Sequence, residues 1–382
     1  MLEIIQRMGT KWKVLSIGIL LFAAMGCGGD KTTKAAINGL ESGDLPLGFT
    51  DSIYSWTKGF PEKFQMSLAF VQGDRVEHYG ILRENDTLLP IENQYGVFEL
   101  GSISKVFNAT LLANFVMDGE LSLKDSINGH FGFPFNKGLD FTFEELANHS
   151  SGLPRLPSDF QTVALLNPGN PYRKYDNEKL EKYLREKVKL VYEKGEKSSY
   201  SNLGAGLIAQ TLIRYSNTSY EELLQQQIFQ KYGMGHSTTQ REQVGEALVG
   251  GLDQDGDPTS NWDLGALLGA GGIYSNTSDL AKFAMAQFDS TNLELALTRE
   301  KTIADSGNVD IGLGWYILDR GAGGKWYWHN GGTGGYSTSM AVDVDHQRAV
   351  IVLSNISSYH KDFGNIDRLC FSLMALLGKI PF

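Results

Sequence analysis

Residues 98–107 read "FELGSISKVF" and place Lys105 three residues after Ser102. Apolar residues recur at spacings of three and four beyond them, so we predict that Ser102 lies in or near the first turn of a helix. A helix N-cap is the simplest role for an isolated serine there. A lysine in the first turn, however, opposes the helix dipole and falls on the same face as the serine. A lysine of lowered pKa in that place can take the proton of Ser102 and make it a nucleophile.

Two further motifs contain residue types that suit a catalytic site. Tyr200 and Asn202 stand one residue apart in "SSYSNLGAG" (198–206), and His329 and Gly331 lie in "WHNGGTGGYS" (328–337), just before a predicted strand. Glycine near the start of a strand allows another backbone to approach closely. Taken alone, the first motif also suits an ordinary helix start, and the second a plain glycine-rich loop.

The two ends of the chain carry strand patterns, and its middle carries helix patterns. Apolar runs flank Gly73-Asp74 and, near the other end, Asp345-His346, as in strand pairs joined by tight turns. We therefore predict an α/β (α+β) fold whose largely antiparallel sheet comes from about residues 60–95 and 310–382, flanked by helices. A large helical region, about residues 102–300, is inserted between them, and the cleft beside it is the expected site.

The composition argues against several classes of function. The 382-residue chain has a formal net charge of −10, and it lacks the clustered Lys and Arg by which proteins bind phosphate backbones, so we predict no nucleic-acid partner. Its seven histidines are scattered, with no His-x-x-x-His spacing and no paired cysteines among them. We therefore expect no metal site and no cofactor.

Three motifs in this order resemble those of the serine β-lactamase and penicillin-binding protein family. They are Ser-x-x-Lys at 102–105, Tyr-x-Asn at 200–202 and His-x-Gly at 329–331. The most similar branch contains class C β-lactamases, D,D-peptidases and related esterases. The stretches "LANHSSGLP" (146–154), "GLGW" (312–315) and "HNGGTGGYS" (329–337) are also similar to that family. The resemblance covers roughly residues 50–380 and implies a β-lactamase/transpeptidase-like fold.

Carried over residue by residue, the resemblance implies a role for each motif. Ser102 would be the acylated nucleophile, with Lys105 and Tyr200 as the coupled proton acceptor and shuttle, and either of the two could take the first proton. Asn202 would position Lys105 or the substrate amide, and His329 and Gly331 would bind substrate. The backbone N–H groups of Ser102 and Gly332 would form the oxyanion hole.

One departure from the family pattern leaves the substrate open. His329 stands where the Lys-Thr-Gly form of the third motif has lysine, and an imidazole with a pKa of roughly 6.5 is mostly neutral at pH 7. His329 therefore does not offer a permanent cation to a substrate carboxylate.

Four aromatic residues are interpreted either as pocket walls or as packing: Phe160, Tyr172, Tyr175 and Trp262. His149, which follows an apolar helix pattern, is expected to be structural.

The first residues have the pattern of an export signal. Arg7, Lys11 and Lys13 precede an apolar stretch, 14–25, that is short for a membrane-spanning helix. We predict a signal peptide at 1–26, lipidation of Cys27, a flexible tether at 27–49 and one folded domain at 50–382. The expected location is the bacterial cell envelope, with a membrane contact through the N-terminal lipid anchor.

These patterns predict a serine hydrolase that forms an acyl-enzyme on an amide or ester bond, related to β-lactamases or D,D-peptidases. The substrate would be a small molecule or a peptide. A carboxylesterase or D-amino-acid peptidase of the same family is the alternative among enzymes. A catalytically silent envelope binding or sensor module is the alternative of another class. The oligomeric state stays open.

Overall fold

A ten-stranded sheet forms the centre of the computed structural model, which describes residues 34–41, 43, 45–46, 48–305 and 309–380. Its strands are β1 (Ile37–Asn38), β2 (Gln65–Gln72), β3 (Arg75–Glu84), β4 (Thr87–Ile91), β7 (Ile303–Ala304), β8 (Val309–Ile311), β9 (Tyr316–Asp319), β10 (Lys325–Gly332), β11 (Ser337–Asp343) and β12 (Arg348–Ser354). A separate pair joins β5 (Phe98–Glu99) to β6 (Tyr274–Ser275).

The two ends of the chain meet in the middle of the sheet. The strand order is β1-β4-β3-β2-β12-β11-β10-β9-β8-β7, and β2 pairs with β12 in antiparallel register, for example Ala69 opposite Ile351. Gly73, in the left-handed region at φ +62°, forms the tight turn between β2 and β3 with Asp74. The predicted largely antiparallel sheet built from both chain ends is confirmed, and among the described strands only the β1–β4 pair is parallel.

Helices cover the sheet and form the inserted region. They are α1 (Phe49–Thr57), α2 (Ser104–Met117), α3 (Phe143–Ala147), α4 (Phe160–Leu165), α5 (Asn177–Glu186), α6 (Asn202–Ser216), α7 (Tyr220–Leu224), α8 (Arg241–Val244), α9 (Thr277–Ala286), α10 (Leu293–Arg299) and α11 (Asn365–Leu377). No helix within the described ranges has the length and apolar character that a bilayer crossing requires. Cys27 and the predicted signal peptide lie outside the described residues.

Part of the predicted tether, 27–49, makes backbone hydrogen bonds to the folded domain. The N–H of Ala36 donates to the Lys58 carbonyl (2.8 Å), and that of Ile37 donates to the Asp86 carbonyl (2.7 Å). The first bond attaches this segment to the end of α1, and the second attaches β1 to the sheet edge beside β4. Two residues are too few to show strand periodicity in the sequence.

Helix α2 lies at the core of the inserted region and is buried on nearly all sides. Its buried positions include polar Asn108, which is satisfied: the Asn108 amide donates to the Ala205 carbonyl (2.9 Å) and accepts from the Tyr220 hydroxyl (3.1 Å). A helix that is apolar around its whole circumference needs such enclosure. Burial of α2 therefore fixes the position of the Ser102 turn at its start.

Truncation of the α2 core should destabilise the protein strongly. We expect Leu112→Ala, at a fully buried position, to lower the free energy of unfolding by about 2–5 kcal/mol through lost burial and a cavity. Urea denaturation at constant pH measures this loss. Leu165→Ala is the matched control, since Leu165 is 69% exposed and its loss should cost less than about 0.5 kcal/mol. Equal effects in the two variants would contradict the assignment of α2 to the core.

Candidate active site

Ser102 lies in a short turn of 3₁₀ helix, Gly101–Ile103, that leads directly into α2. No side chain caps either helix start, so the simple N-cap interpretation of Ser102 is wrong. Gly101 adopts φ +53°, and a Cβ there would lie 2.6 Å from the Gly332 nitrogen. Both the dihedral angle and the space require glycine.

Lys105 contacts Ser102 from the next turn of the helix. Its Nζ donates to Ser102 Oγ (3.0 Å) and to the Ala270 carbonyl (2.6 Å), and the residue is only 3% exposed. Burial, and next the positive charge of Arg155, hold the pKa of Lys105 well below its ordinary value. A neutral amine at this distance has a lone pair available for the serine proton.

Tyr200 also lies beside Ser102. Burial raises the pKa of Tyr200 to about 12, opposed by the charge of Arg155 and by the Ser102 hydroxyl. The Lys105 Nζ lies 4.7 Å from the centre of the Tyr200 ring. The structure therefore brings the predicted residues Ser102, Lys105 and Tyr200 together, with the phenol protonated at neutral pH.

The end of β10 meets the Ser102 turn through backbone atoms. A Cβ on Gly331 would lie 1.9 Å from the Leu100 carbonyl oxygen and 2.9 Å from the Ser102 nitrogen. The Thr338 hydroxyl, on the neighbouring strand β11, also donates to that Leu100 oxygen (2.8 Å). The Gly332 nitrogen thus lies beside the Ser102 turn, 2.6 Å from where a Cβ on Gly101 would be; an oxyanion hole formed by the Ser102 and Gly332 N–H groups stays a prediction.

His329 on β10 is a buried, neutral imidazole. It is 2% exposed, and its Nδ1 lies 2.6 Å from the Asn330 carbonyl oxygen, which can only accept, so Nδ1 carries the proton. Burial, and next the charge of Lys105, lower the pKa of His329 to about 3. The residue therefore supplies Nε2 as a hydrogen-bond acceptor and no positive charge near neutral pH.

Asn202 is the first residue of α6, and its side chain points to Tyr172 rather than Lys105. Its Nδ2 donates to the Tyr172 hydroxyl (3.3 Å). Its Oδ1 is buried without a hydrogen-bond partner among the described residues. Lys105 is held by Ala270 instead. Of the two predicted uses of Asn202, a bond to a substrate amide is the one this geometry leaves available.

His149 and Arg155 also belong to this site, and the sequence did not assign them to it. His149 adopts φ +63°, its Nδ1 accepts from the Ser201 N–H (3.3 Å), and its ring centre lies 4.6 Å from that of Tyr200. Burial, then the charges of Lys105, His329 and Arg155, lower the pKa of His149 well below its ordinary value. His149 is therefore neutral, and its imidazole packs against the Tyr200 ring. For His149 the available signal was the stretch 146–154, which is similar to the family but does not indicate a spatial partner; Arg155 lies just outside it.

The four aromatic candidates divide into two pairs. Tyr172 packs on Trp262 with ring centres 5.3 Å apart, and its hydroxyl reaches Asn202, so these two rings lie along the site. Phe160 and Tyr175 are buried behind them, and the Tyr175 hydroxyl donates to Asp159 (3.0 Å). Packing is therefore the role of Phe160 and Tyr175.

Glu99 is a buried acid three residues before Ser102. It is 3% exposed and accepts from the Trp262 N–H and the Asn261 side-chain amide, both at 2.8 Å. Burial is the main cause that raises its pKa from 4.5 to about 7, opposed by hydrogen bonds from Thr333, Asn261 and Trp262. The carboxyl group thereby ties the Trp262 loop to the strand that precedes the serine.

The raised pKa of Glu99 predicts a pH-dependent stability. The folded state holds the proton up to about pH 7, whereas the unfolded chain releases it near 4.5, so stability falls as the pH rises between these values. Relative to Glu99→Gln, the wild type should lose about 2 to 3 kcal/mol of unfolding free energy between pH 5 and pH 8. Urea denaturation of both proteins at each pH measures the two unfolding free energies. Subtracting the value for Glu99→Gln from that for the wild type removes the contribution of the histidines, which both proteins share. A pH-independent difference would refute the raised pKa.

The chain is similar to several known proteins. The family model described as Beta-lactamase matches residues 66–372. The chain is similar to Penicillin-binding protein 4* of Bacillus subtilis (strain 168), with 27% identity over 320 residues that cover 77% of this chain and 69% of that protein. It is also similar to the D-alanyl-D-alanine-carboxypeptidase/endopeptidase AmpH of Escherichia coli (strain K12), with 25% identity over 85% of this chain and 87% of that protein.

A solved structure shows the same fold. The octameric penicillin-binding protein homologue from Pyrococcus abyssi superposes with a TM-score of 0.70 and 24% sequence identity, over 83% of this chain and 74% of that chain.

Proposed function

Because the chain belongs to the beta-lactamase family and is a serine hydrolase, we propose that it cleaves an amide or ester bond through an acyl-enzyme on Ser102. One observation carries the proposal: the Lys105 Nζ lies 3.0 Å from Ser102 Oγ while burial holds the pKa of Lys105 well below its ordinary value. An amine that is neutral at working pH is a competent base for a serine hydroxyl.

Acylation follows from these positions. Lys105 takes the hydroxyl proton as Ser102 Oγ forms a bond to the substrate carbonyl carbon, and the carbonyl π electrons move to oxygen. The backbone N–H groups of Ser102 and Gly332 stabilise that oxyanion. When the carbon–leaving-group bond breaks, the leaving nitrogen or oxygen takes its electron pair and a proton. Water then attacks the ester carbonyl and releases Ser102.

The proton roles of Lys105 and Tyr200 differ because their pKa directions differ. The pKa of Tyr200, raised to about 12, keeps its phenol protonated, whereas Lys105 is pushed towards the neutral form. Lys105 is therefore the first acceptor, and Tyr200 relays the proton to the leaving group. The free Oδ1 of Asn202 accepts a substrate N–H on the same side.

Amides or esters of cell-wall peptides and β-lactams are the favoured substrate class. The relatives named as a penicillin-binding protein and as a D-alanyl-D-alanine-carboxypeptidase support this choice. Strand β10 pairs with β9 only as far as Trp328, so its residues 329–332 have one edge without a partner strand in the described sheet. An extended peptide can align along such an edge. Small carboxylic esters and D-amino-acid peptides are the alternative, because neutral His329 supplies no cation.

Covalent labelling of residues 28–382 tests the nucleophile. We expect one fluorophosphonate adduct by intact mass, its loss to background in Ser102→Ala, and its retention in Ser104→Ala, whose hydroxyl accepts from the Ile273 N–H. A fluorescent penicillin, tested in parallel, reports whether a β-lactam is accepted. Unchanged labelling of Ser102→Ala would refute the proposal. A penicillin adduct that persists for hours would exclude β-lactam turnover, and hydrolysis of an ester or peptide substrate would then distinguish a peptidase or esterase from a sensor.

The proposal includes export and a lipid anchor on Cys27, supported by the basic and apolar pattern of residues 7–25. We expect the full chain, expressed in a bacterium, to incorporate labelled fatty acid and to enter the detergent phase of a phase-separation assay. Cys27→Ser should abolish both, whereas Cys370→Ser, which changes the second of the two cysteines at a buried position, should change neither. Lipid incorporation in Cys27→Ser would contradict the assignment.

A further inference from the structure

Arg155 lies beside the proposed catalytic residues on a loop that is fixed by its backbone. The loop joins α3 to α4, and the Arg155 carbonyl accepts from the N–H groups of Asn202 (2.9 Å) and Leu203 (3.2 Å) at the start of α6. The Ser201 hydroxyl donates to the preceding carbonyl, that of Pro154 (2.8 Å). Because these bonds use backbone carbonyls, they hold residue 155 next to the Tyr-x-Asn motif independently of its side chain.

The Arg155 side chain reaches over the site and stays open to solvent. Its guanidinium carbon lies 5.1 Å from the centre of the Tyr200 ring, and the residue is exposed. After desolvation, the Arg155 charge is the largest influence on the pKa of Lys105, of Tyr172 and of Tyr200. The guanidinium therefore lies near all three groups, at the solvent side of the site.

This guanidinium has no acidic partner in the described part of the chain. Other arginines do: Arg214 pairs with Glu181 (3.0 Å), and Arg241 pairs with Asp263 (3.3 Å). Lys105 is buried with a lowered pKa, and His329 is neutral. Arg155 is thus a permanent cation at a site whose other basic groups are uncharged, and its planar fork of donors matches a carboxylate.

We propose that Arg155 binds a carboxylate of the substrate, so that the preferred substrate carries an acidic group. The inference rests on the proposed function and narrows it. The cation lies on the loop before α4 rather than at position 329 of β10, so the acidic group is recognised from the Tyr200 and Asn202 side. Arg155 contacts substrate in this scheme without taking part in bond making.

Two pairs of ester probes test the inference. Mono-p-nitrophenyl glutarate and its methyl ester differ only in a carboxylate on the acyl side. Meta-carboxyphenyl acetate and its methyl ester differ in the same way on the leaving-group side. We expect the wild type to prefer the charged member of one pair, and Arg155→Gln to lower the charged-to-methylated ratio of kcat/KM by about tenfold or more. The ratio is compared, rather than kcat/KM itself, because loss of Arg155 also changes the pKa of Lys105. That change alters kcat/KM for charged and methylated probes alike.

Matched variants separate recognition from a general loss of activity. Arg155→Lys should keep part of the preference. Arg185→Gln should leave the ratio unchanged, since it removes a guanidinium from another aromatic face, 3.6 Å from the Phe133 ring centre, on α5, which contributes no residue to the site. A wild type without preference for either charged probe overturns the inference. An equal fall for charged and methylated probes in Arg155→Gln also overturns it.

A binding measurement distinguishes failure of the inference from failure of the proposed function. If the wild type hydrolyses none of the four esters, the proposed esterase or amidase activity fails for them. Titration calorimetry on Ser102→Ala, which cannot turn the probes over, then measures the affinity for each charged probe and its methyl ester. This comparison tests the role of Arg155 without depending on catalysis. Tighter binding of the charged probe, lost in Ser102→Ala/Arg155→Gln, supports the inference. Equal affinity for charged and methylated probes overturns it.

Discussion

The contact between the Ser102 turn and the end of β10 is the constraint on which the rest of the site depends. Gly101 and Gly331 meet the opposite backbone at distances that exclude a Cβ. Sheet and helical region therefore join here mainly through backbone atoms, with the Thr338 hydroxyl as an added contact. This direct contact sets the position of the serine hydroxyl relative to two backbone N–H groups. Burial of α2 then holds the turn in place from behind.

Burial also decides which groups of the site carry charge. Lys105, His149 and His329 are enclosed together, and each has its pKa lowered chiefly by desolvation. The charge of Lys105 lowers the pKa of both histidines further, and the charge of Arg155 lowers that of Lys105 and of His149. The result is a site with basic nitrogens but little fixed charge near Ser102. Electrostatic recognition of a substrate must then come from the solvent side, where the guanidinium lies.

The sequence predicted the sheet and the catalytic group better than it predicted their surroundings. Paired apolar runs around Gly73 and Asp345 indicated the strands, and the Ser-x-x-Lys spacing placed Lys105 on the face of Ser102. The edge strand β1 was not predicted, because a strand of two residues is too short to show the alternation of apolar and polar residues that marks a strand. The place of His149 depends on a left-handed backbone conformation, φ +63°, and on contact with Tyr200, 51 positions along the chain. Neither is visible in a local pattern.

The loop that carries Arg155 has a consequence for how this protein can change over evolutionary time. Its hold on α6 uses the carbonyls of residues 154 and 155, so the fold places no demand on the identity of the exposed side chain. A single codon change there replaces the group that faces incoming molecules, while the backbone of the site keeps its arrangement. Because the charge at this position also lowers the pKa of Lys105, such a change would alter substrate choice and the strength of the base together.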